Sequence, residues 1–212
     1  MGEDRIRHAD ALYEQAVFGG DRDAPALAER ALDAVEADLA LARGRILHAR
    51  FLADRRPDPR ELALFRQAAD LYRRLGDGRG EGEALFWTGT YHQVVAEEYA
   101  EAVPLFRRSY ALAEAVGDRL TLSYATRHLA FAAEAEGRPQ EARERFEESI
   151  ALREELDFRP GVAAGKLALA ELLRGQGDRA AADRLLDEAA ELAAGCGAHG
   201  VLGWIEAARA AR

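Results

Sequence analysis

Residues 99–118 read YAEAVPLFRRSYALAEAVGD. Ala102, Phe106 and Ser109 stand at i, i+4 and i+7, so a helix places all three on one face. The same stripe returns 40 residues later in PQEARERFEESIALREELD (139–157), as Ala142, Phe146 and Ser149. It returns again in GDRAAADRLLDEAAELAAG (177–195), as Ala182, Leu186 and Ala189. The small residues let a neighbouring helix come close, and the large one fills the space between the two. Phe106, Phe146 and Leu186 are therefore expected to be buried between helices.

Two earlier stretches carry the stripe with more drift. Glu61, Phe65 and Ala68 lie in PRELALFRQAADLYRRLGD (59–77), and Ala28, Leu32 and Val35 in PALAERALDAVEADLA (25–40). Each such helix is preceded by another: ADALYEQAVF, RILHARFLA, EALFWTGTYHQVVA, SYATRHLAFAAEA and AAGKLALAELLRG. Breakers separate partners and units, as at Gly19-Gly20, Pro57-Asp58-Pro59, Gly76-Asp77-Gly78, Gly117-Asp118, Gly137-Arg138-Pro139 and Gly175-Gln176-Gly177. Alanine, leucine, glutamate and arginine dominate, all good helix formers. β-branched residues never alternate as a half-buried strand requires. The fold class is all-α, with about 11 helices: five helix–turn–helix units and a C-terminal helix over 199–212.

In this pattern the chain resembles the tetratricopeptide repeat family, in its bacterial variety with a period near 40 residues. The match extends over nearly the whole chain and is sharpest in the last three complete units. The family's Trp-x2-Leu-Gly-x2-Tyr signature survives as fragments in Trp87-Thr88-Gly89-Thr90-Tyr91. The resemblance implies a right-handed superhelix, one domain over residues 1–212, with Trp204 and Ile205 covering the last repeat. GDGRGEG (76–82) is the most flexible linker candidate, and the repeat continues through it.

Composition narrows the function. Of 212 residues, 49% are hydrophobic, enough for a sizeable core, and the net charge is −9. That balance disfavours nucleic acid, whose phosphates reward clustered cations. No apolar run is long enough to cross a membrane, and MGEDRIRHAD lacks a signal-peptide core, so a cytoplasmic location is expected. Cys196 is the single cysteine, which excludes an internal disulfide.

Chemistry has little support. Around His92 and His128 no ligand stands at i±3 or i±4, and Asp4–His8, which has metal-pair spacing, is better read as a terminal salt bridge. Gly161-Val162-Ala163-Ala164-Gly165-Lys166-Leu167 is one residue short of a phosphate loop, has leucine in place of Ser or Thr, and follows no strand. Ser109 and Ser149 occupy packing positions, while Ser123 is expected at an exposed helix start. No catalytic residue, metal or cofactor is assigned.

In the resembled fold the first helix of each unit lines an inner groove. Counting back from Ala102 and Ala142 places Trp87 and Tyr91 there in the third unit, and Tyr124, Arg127, His128, Phe131 and Glu134 in the fourth. The fifth offers Leu167, Ala168, Glu171 and Arg174, without an aromatic. Arg127 can grip a carboxylate or phosphate bidentately, and His128 can move a proton near neutral pH. Both, with Glu134, are expected to be solvent-accessible, because unpaired charge is costly to bury. Two modes of the resembled family use asparagines, one with lysines. This chain has no asparagine and one lysine, Lys166, which disfavours both.

Two functions follow. The first is an interaction scaffold holding a polypeptide, or another copy of the chain, in the groove. The second is a binder of an aromatic or anionic small molecule, with an enzyme ranking behind it.

Overall fold

The structure, a computed structural model, describes residues 2–210. Among these there is no strand. Helices follow one another in consecutive packed pairs: α1 (Gly2–Gly19), α2 (Ala24–Asp54), α3 (Arg60–Leu75), α4 (Gly78–Thr90), α5 (Tyr99–Val116), α6 (Arg119–Ala135), α7 (Pro139–Glu155), α8 (Arg159–Gly175), α9 (Arg179–Gly195) and α10 (His199–Ala210). A π-helical segment, Tyr91–Val95, extends α4. Two compact units divide the chain between Leu112 and Ala113, within α5.

The helix boundaries have a shared chemical cause. Gly76, Gly117 and Gly177 take φ of 72°, 69° and 90°, which closes the preceding helix. The aspartate that follows each then caps the next one. Asp77 accepts from the Gly80 amide at 2.9 Å, Asp118 from Thr121 at 3.2 Å and Asp178 from Ala181 at 3.0 Å. One Gly-Asp dipeptide thus serves both a stop and a start.

The expected stripe is the core. Ala102, Ala142 and Ala182 are sealed, as are Phe106, Phe146 and Leu186 and the small residues Ser109, Ser149 and Ala189. The two serines also tie helices together. Ser109 donates to the Gly82 carbonyl and Ser149 to the Ser123 carbonyl, each at 2.7 Å. Phe65 and Phe106 reach so far across that a Cβ on helical Gly44 would stand 2.5 Å from the Phe65 ring, and one on Gly89 2.7 Å from Phe106. These glycines make room for rings; they do not make turns.

Several expectations need correction. The two helices read at 25–40 and 45–53 are one 31-residue helix, α2, so there are ten α-helices among the described residues. Nothing from Leu39 to Arg43 breaks a helix, and Gly44 is buried against Phe65. Leu32 is 46% exposed, so the first unit's stripe does not face the core. Ile205 is sealed, but Trp204 is 49% exposed and covers little. Ser123 is buried, its hydroxyl donating to the Leu120 carbonyl at 2.8 Å. Asp4 pairs with Arg7 on the next turn.

Candidate functional site

The seven residues read as the inner face fall into both compact units: Trp87 and Tyr91 in the first, the other five in the second.

In the first unit Trp87, on α4, packs into an aromatic and charged cluster. Its ring stacks on Phe65 at 5.8 Å between centroids and meets the edge of His48 at 5.5 Å. The Arg45 guanidinium stands 5.5 Å from the indole centroid. Beneath it His48 Nδ1 and Glu61 Oε1 share a hydrogen bond of 2.9 Å, with both side chains buried. Glu61 Oε2 is buried with no hydrogen-bond partner. Tyr91 begins the π-helical segment, where the Ala96 amide donates to the Tyr91 carbonyl at 3.0 Å. The Tyr91 amide still donates to the Trp87 carbonyl, so Tyr91 stands one α-helical turn beyond Trp87 as the spacing expects, and the wider register begins after it. Tyr91 and Trp87 both pack partly buried against the core formed around Phe65 and Tyr72.

The second unit gathers its residues more closely. Arg127 on α6 lies with its guanidinium carbon 4.7 Å from the Phe131 centroid. Its Nε is buried without a hydrogen-bond partner. Burial pulls its pKa down to about 10, opposed by the charge of Glu171 on α8 and by Tyr124. Phe131 also meets Phe146 edge-on at 5.0 Å and His128 at 5.9 Å. Glu134 is exposed at the end of the same face. Burial and the neighbouring Glu171 hold its carboxyl above the usual carboxylate range. Burial likewise raises Glu171, although Arg127 and Arg174 pull the other way.

His128 is buried, against the expectation that it would be accessible. A ring with a neutral form near neutral pH can enter a core at a cost that a guanidinium cannot match. Arg127 is only partly accessible. Tyr124 is half-buried, edge-on to Phe158 at 6.1 Å.

Sequence reading missed Arg153. This side chain is 2% exposed and lies with its guanidinium carbon 5.1 Å from the Tyr124 centroid. It donates from Nη1 to the Gly161 carbonyl at 2.8 Å and from Nε to Ser123 Oγ at 3.4 Å. Burial, then the charge of Arg127, brings its pKa down to about 9. The signal was in the repeat. Seven residues beyond each large anchor stand Tyr72, Ala113, Arg153 and Ala193, all buried. An arginine in a slot that alanine fills elsewhere is a departure that spacing alone reveals. Glu61 departs in the same way from Ala102, Ala142 and Ala182.

A family model described as tetratricopeptide repeat matches residues 89–155 and 120–195, overlapping stretches that together span just over half of the chain. The chain belongs to the tetratricopeptide repeat family. Tetratricopeptide repeats generally mediate protein–protein interaction. No curated protein matches the chain. Among solved structures it is similar to a Podosopora anserina putative kinesin light chain with nearly identical TPR-like repeats. That match has 19% identity over 92% of this chain and 98% of the other, with a TM-score of 0.41. A single-substitution variant of that protein gives 20% identity over 91% and 96%, with a TM-score of 0.42. Within the tetratricopeptide array the first helices of successive hairpins include α6 and α8, and these two carry Arg127, Glu134 and Glu171. No helix among the described residues is long and apolar enough to cross a membrane.

Proposed function

We propose that the chain is an interaction scaffold that holds a polypeptide segment along the face shared by α6 and α8. Arg127 receives an acidic side chain or a terminal carboxylate of that segment. Tyr124 and Phe131 pack beside it. The observation that carries this reading is the state of Arg127. A guanidinium held over Phe131, with a buried Nε that no group satisfies, is costly to the free protein. A carboxylate meeting the outer, partly accessible end of the guanidinium would offset that cost with charge-assisted hydrogen bonds.

The test is selection of peptides from a random displayed library on the purified chain. Selected sequences should share an acidic residue beside an apolar or aromatic one. Their affinity should fall roughly 10- to 100-fold on Arg127→Met, through loss of charged hydrogen bonds. The same peptides should bind Arg184→Ala, altered on α9, as they bind the parent. Peptides that bind Arg127→Met undiminished would overturn the assignment. A shift in melting temperature with small carboxylates, together with no enriched peptide, would replace the polypeptide with a small anion.

A further inference from the structure

The long helix α2 carries a second stripe that the core does not use. Leu32, Val35, Leu39, Ala42, Ile46 and Ala49 alternate at spacings of three and four, a heptad seam over about 27 Å of helix. The buried residues of α2, among them Ala37, Ala40, Leu41, Gly44 and Phe51, occupy the opposite face. Leu39 is 47% exposed and Ile46 57%, beside the 46% of Leu32. A run of apolar side chains on the outside of a helix this long marks an interaction surface.

The charges beside the seam say what covers it. On one flank stand Glu29, Glu36, Arg43 and Arg50, at intervals of seven and all exposed. The acidic pair lies in the N-terminal half and the basic pair in the C-terminal half. The other flank repeats the order, with Asp38 before Arg45. We infer that α2 is a dimerisation helix that packs antiparallel against α2 of a second copy of this chain. It uses none of the α6 and α8 residues invoked above.

The register follows from the seam. An antiparallel pairing that sets Leu39 opposite Ala42 of the second copy also sets Val35 opposite Ile46 and Leu32 opposite Ala49, each layer occurring twice. Large residues meet small ones in two layers of the three, which suits close helix approach. In this register Glu36 faces Arg43 of the second copy and Glu29 faces Arg50, again twice over. Asp38 falls opposite Arg45, although Asp38 also accepts from Arg5 at 2.9 Å and Arg45 also donates to Glu83 at 3.2 Å. Glu36 likewise accepts from Gln67 Nε2 at 2.5 Å, but the flank of Glu29, Glu36, Arg43 and Arg50 supplies four of the six charge contacts and is the main source of selectivity. A parallel pairing would instead oppose Arg45 to Arg50, leave Asp38 with Arg43 as its one complementary contact, and gather like charges at each end.

A depression of about 350 Å³ beside the seam fits the same arrangement. It lies between α2 and α3, with Ile46 and Leu64 in its wall and Arg43, Arg50 and Arg60 at its edge. The part of the second α2 that reaches it is the acidic N-terminal half, with Glu29 and Glu36.

Sedimentation equilibrium from roughly 1 to 100 µM, the range in which an interface of modest size dissociates, tests the proposal. The parent chain should be a monomer–dimer equilibrium. Glu36→Arg places arginine against arginine at two symmetric positions, and Arg43→Glu places glutamate against glutamate. Each should weaken the dimer at least tenfold. An equimolar mixture of the two variants should dimerise again, because every flank pair is then of opposite charge. All these side chains are exposed, so circular dichroism should report unchanged helicity. A strictly monomeric parent overturns the inference. So does failure of the mixture to recover, which would mean that the register is wrong. Loss of peptide binding by Arg127→Met with intact dimerisation would bear on the groove alone.

Discussion

Replacing Arg127 by methionine should make the protein more stable, not less. The guanidinium is pulled down to about 10 by its burial, so at neutral pH its charged form is held at a cost on the order of 2–3 kcal/mol. Its contact over Phe131 returns about 1 kcal/mol. Methionine keeps much of the stem's packing and carries no charge to desolvate. It also relieves Arg153, whose pKa is lowered partly by Arg127. The net expectation is a gain of about 1 kcal/mol, or ~2–4 °C in Tm for a chain of this size. The sign with pH is fixed. The folded pKa lies below the unfolded one, so the cost is complete at every pH well below 10 and fades only as pH rises past it. The gain should therefore be flat between pH 5 and 8, measured by urea midpoints and thermal scans at both ends. A loss of more than about 1 kcal/mol would refute the reasoning, because Arg127 would then be holding the fold together.

Three further outcomes are expected. Phe146→Ala should cost about 3–5 kcal/mol in urea unfolding, since the ring is sealed between helices; a loss below about 1 kcal/mol would remove it from the core. Glu61→Ala should cost about 1–3 kcal/mol by leaving buried His48 without its partner, whereas His48→Leu with Glu61→Ala should recover most of that; a coupling under about 0.5 kcal/mol in the cycle would mean that the 2.9 Å bond is idle. Glu134 and Glu171 have raised folded pKa values, so their favourable contribution is complete below the ordinary carboxylate value and is lost as pH rises through the raised one. Converting both to glutamine should raise the urea midpoint at pH 7 and leave it nearly unchanged near pH 4; equal effects at both would contradict the assignment.

The later repeats were legible because their packing is nearly periodic. Ala142, Phe146 and Ser149 could be read from Ala102, Phe106 and Ser109, since one helix-to-helix distance demands one set of sizes. The early repeats hid two things. The stripe of Ala28, Leu32 and Val35 has the same spacing as a core anchor, and sequence spacing cannot tell a face that meets the chain itself from one that meets something else. The missing turn in α2 was equally hidden, because Gly44 has the composition of a breaker and the job of a close approach to Phe65. At the candidate site Arg127 and Phe131 were readable from their shared face. Arg153 is legible only when the repeats are compared slot by slot, because it lies on the second helix of its hairpin, where small or apolar residues are the expectation. The burial of His128 was not readable, because a count along one helix places it on a face without saying how closely neighbouring helices cover that face.

The departures from the repeat say most about function. In an array each unit is a control for the others, so a slot that holds alanine three times shows what packing alone requires. Glu61 violates that requirement in the second repeat, and Arg153 violates its own in the fourth. Each brings a charged group into a sealed position, at a cost that alanine avoids. Arg153 and Arg127 together place two guanidinium groups under one helical face of a chain whose net charge is −9. An extended polyanion would meet that acidic exterior along its whole length and gain little. On the proposal above, one carboxylate flanked by apolar side chains meets the protein at a single point, Arg127, which is the partly accessible one of the two; Arg153 is sealed beneath, its donors already spent on Gly161 and Ser123. The same arrangement therefore favours a short acidic and apolar segment over nucleic acid.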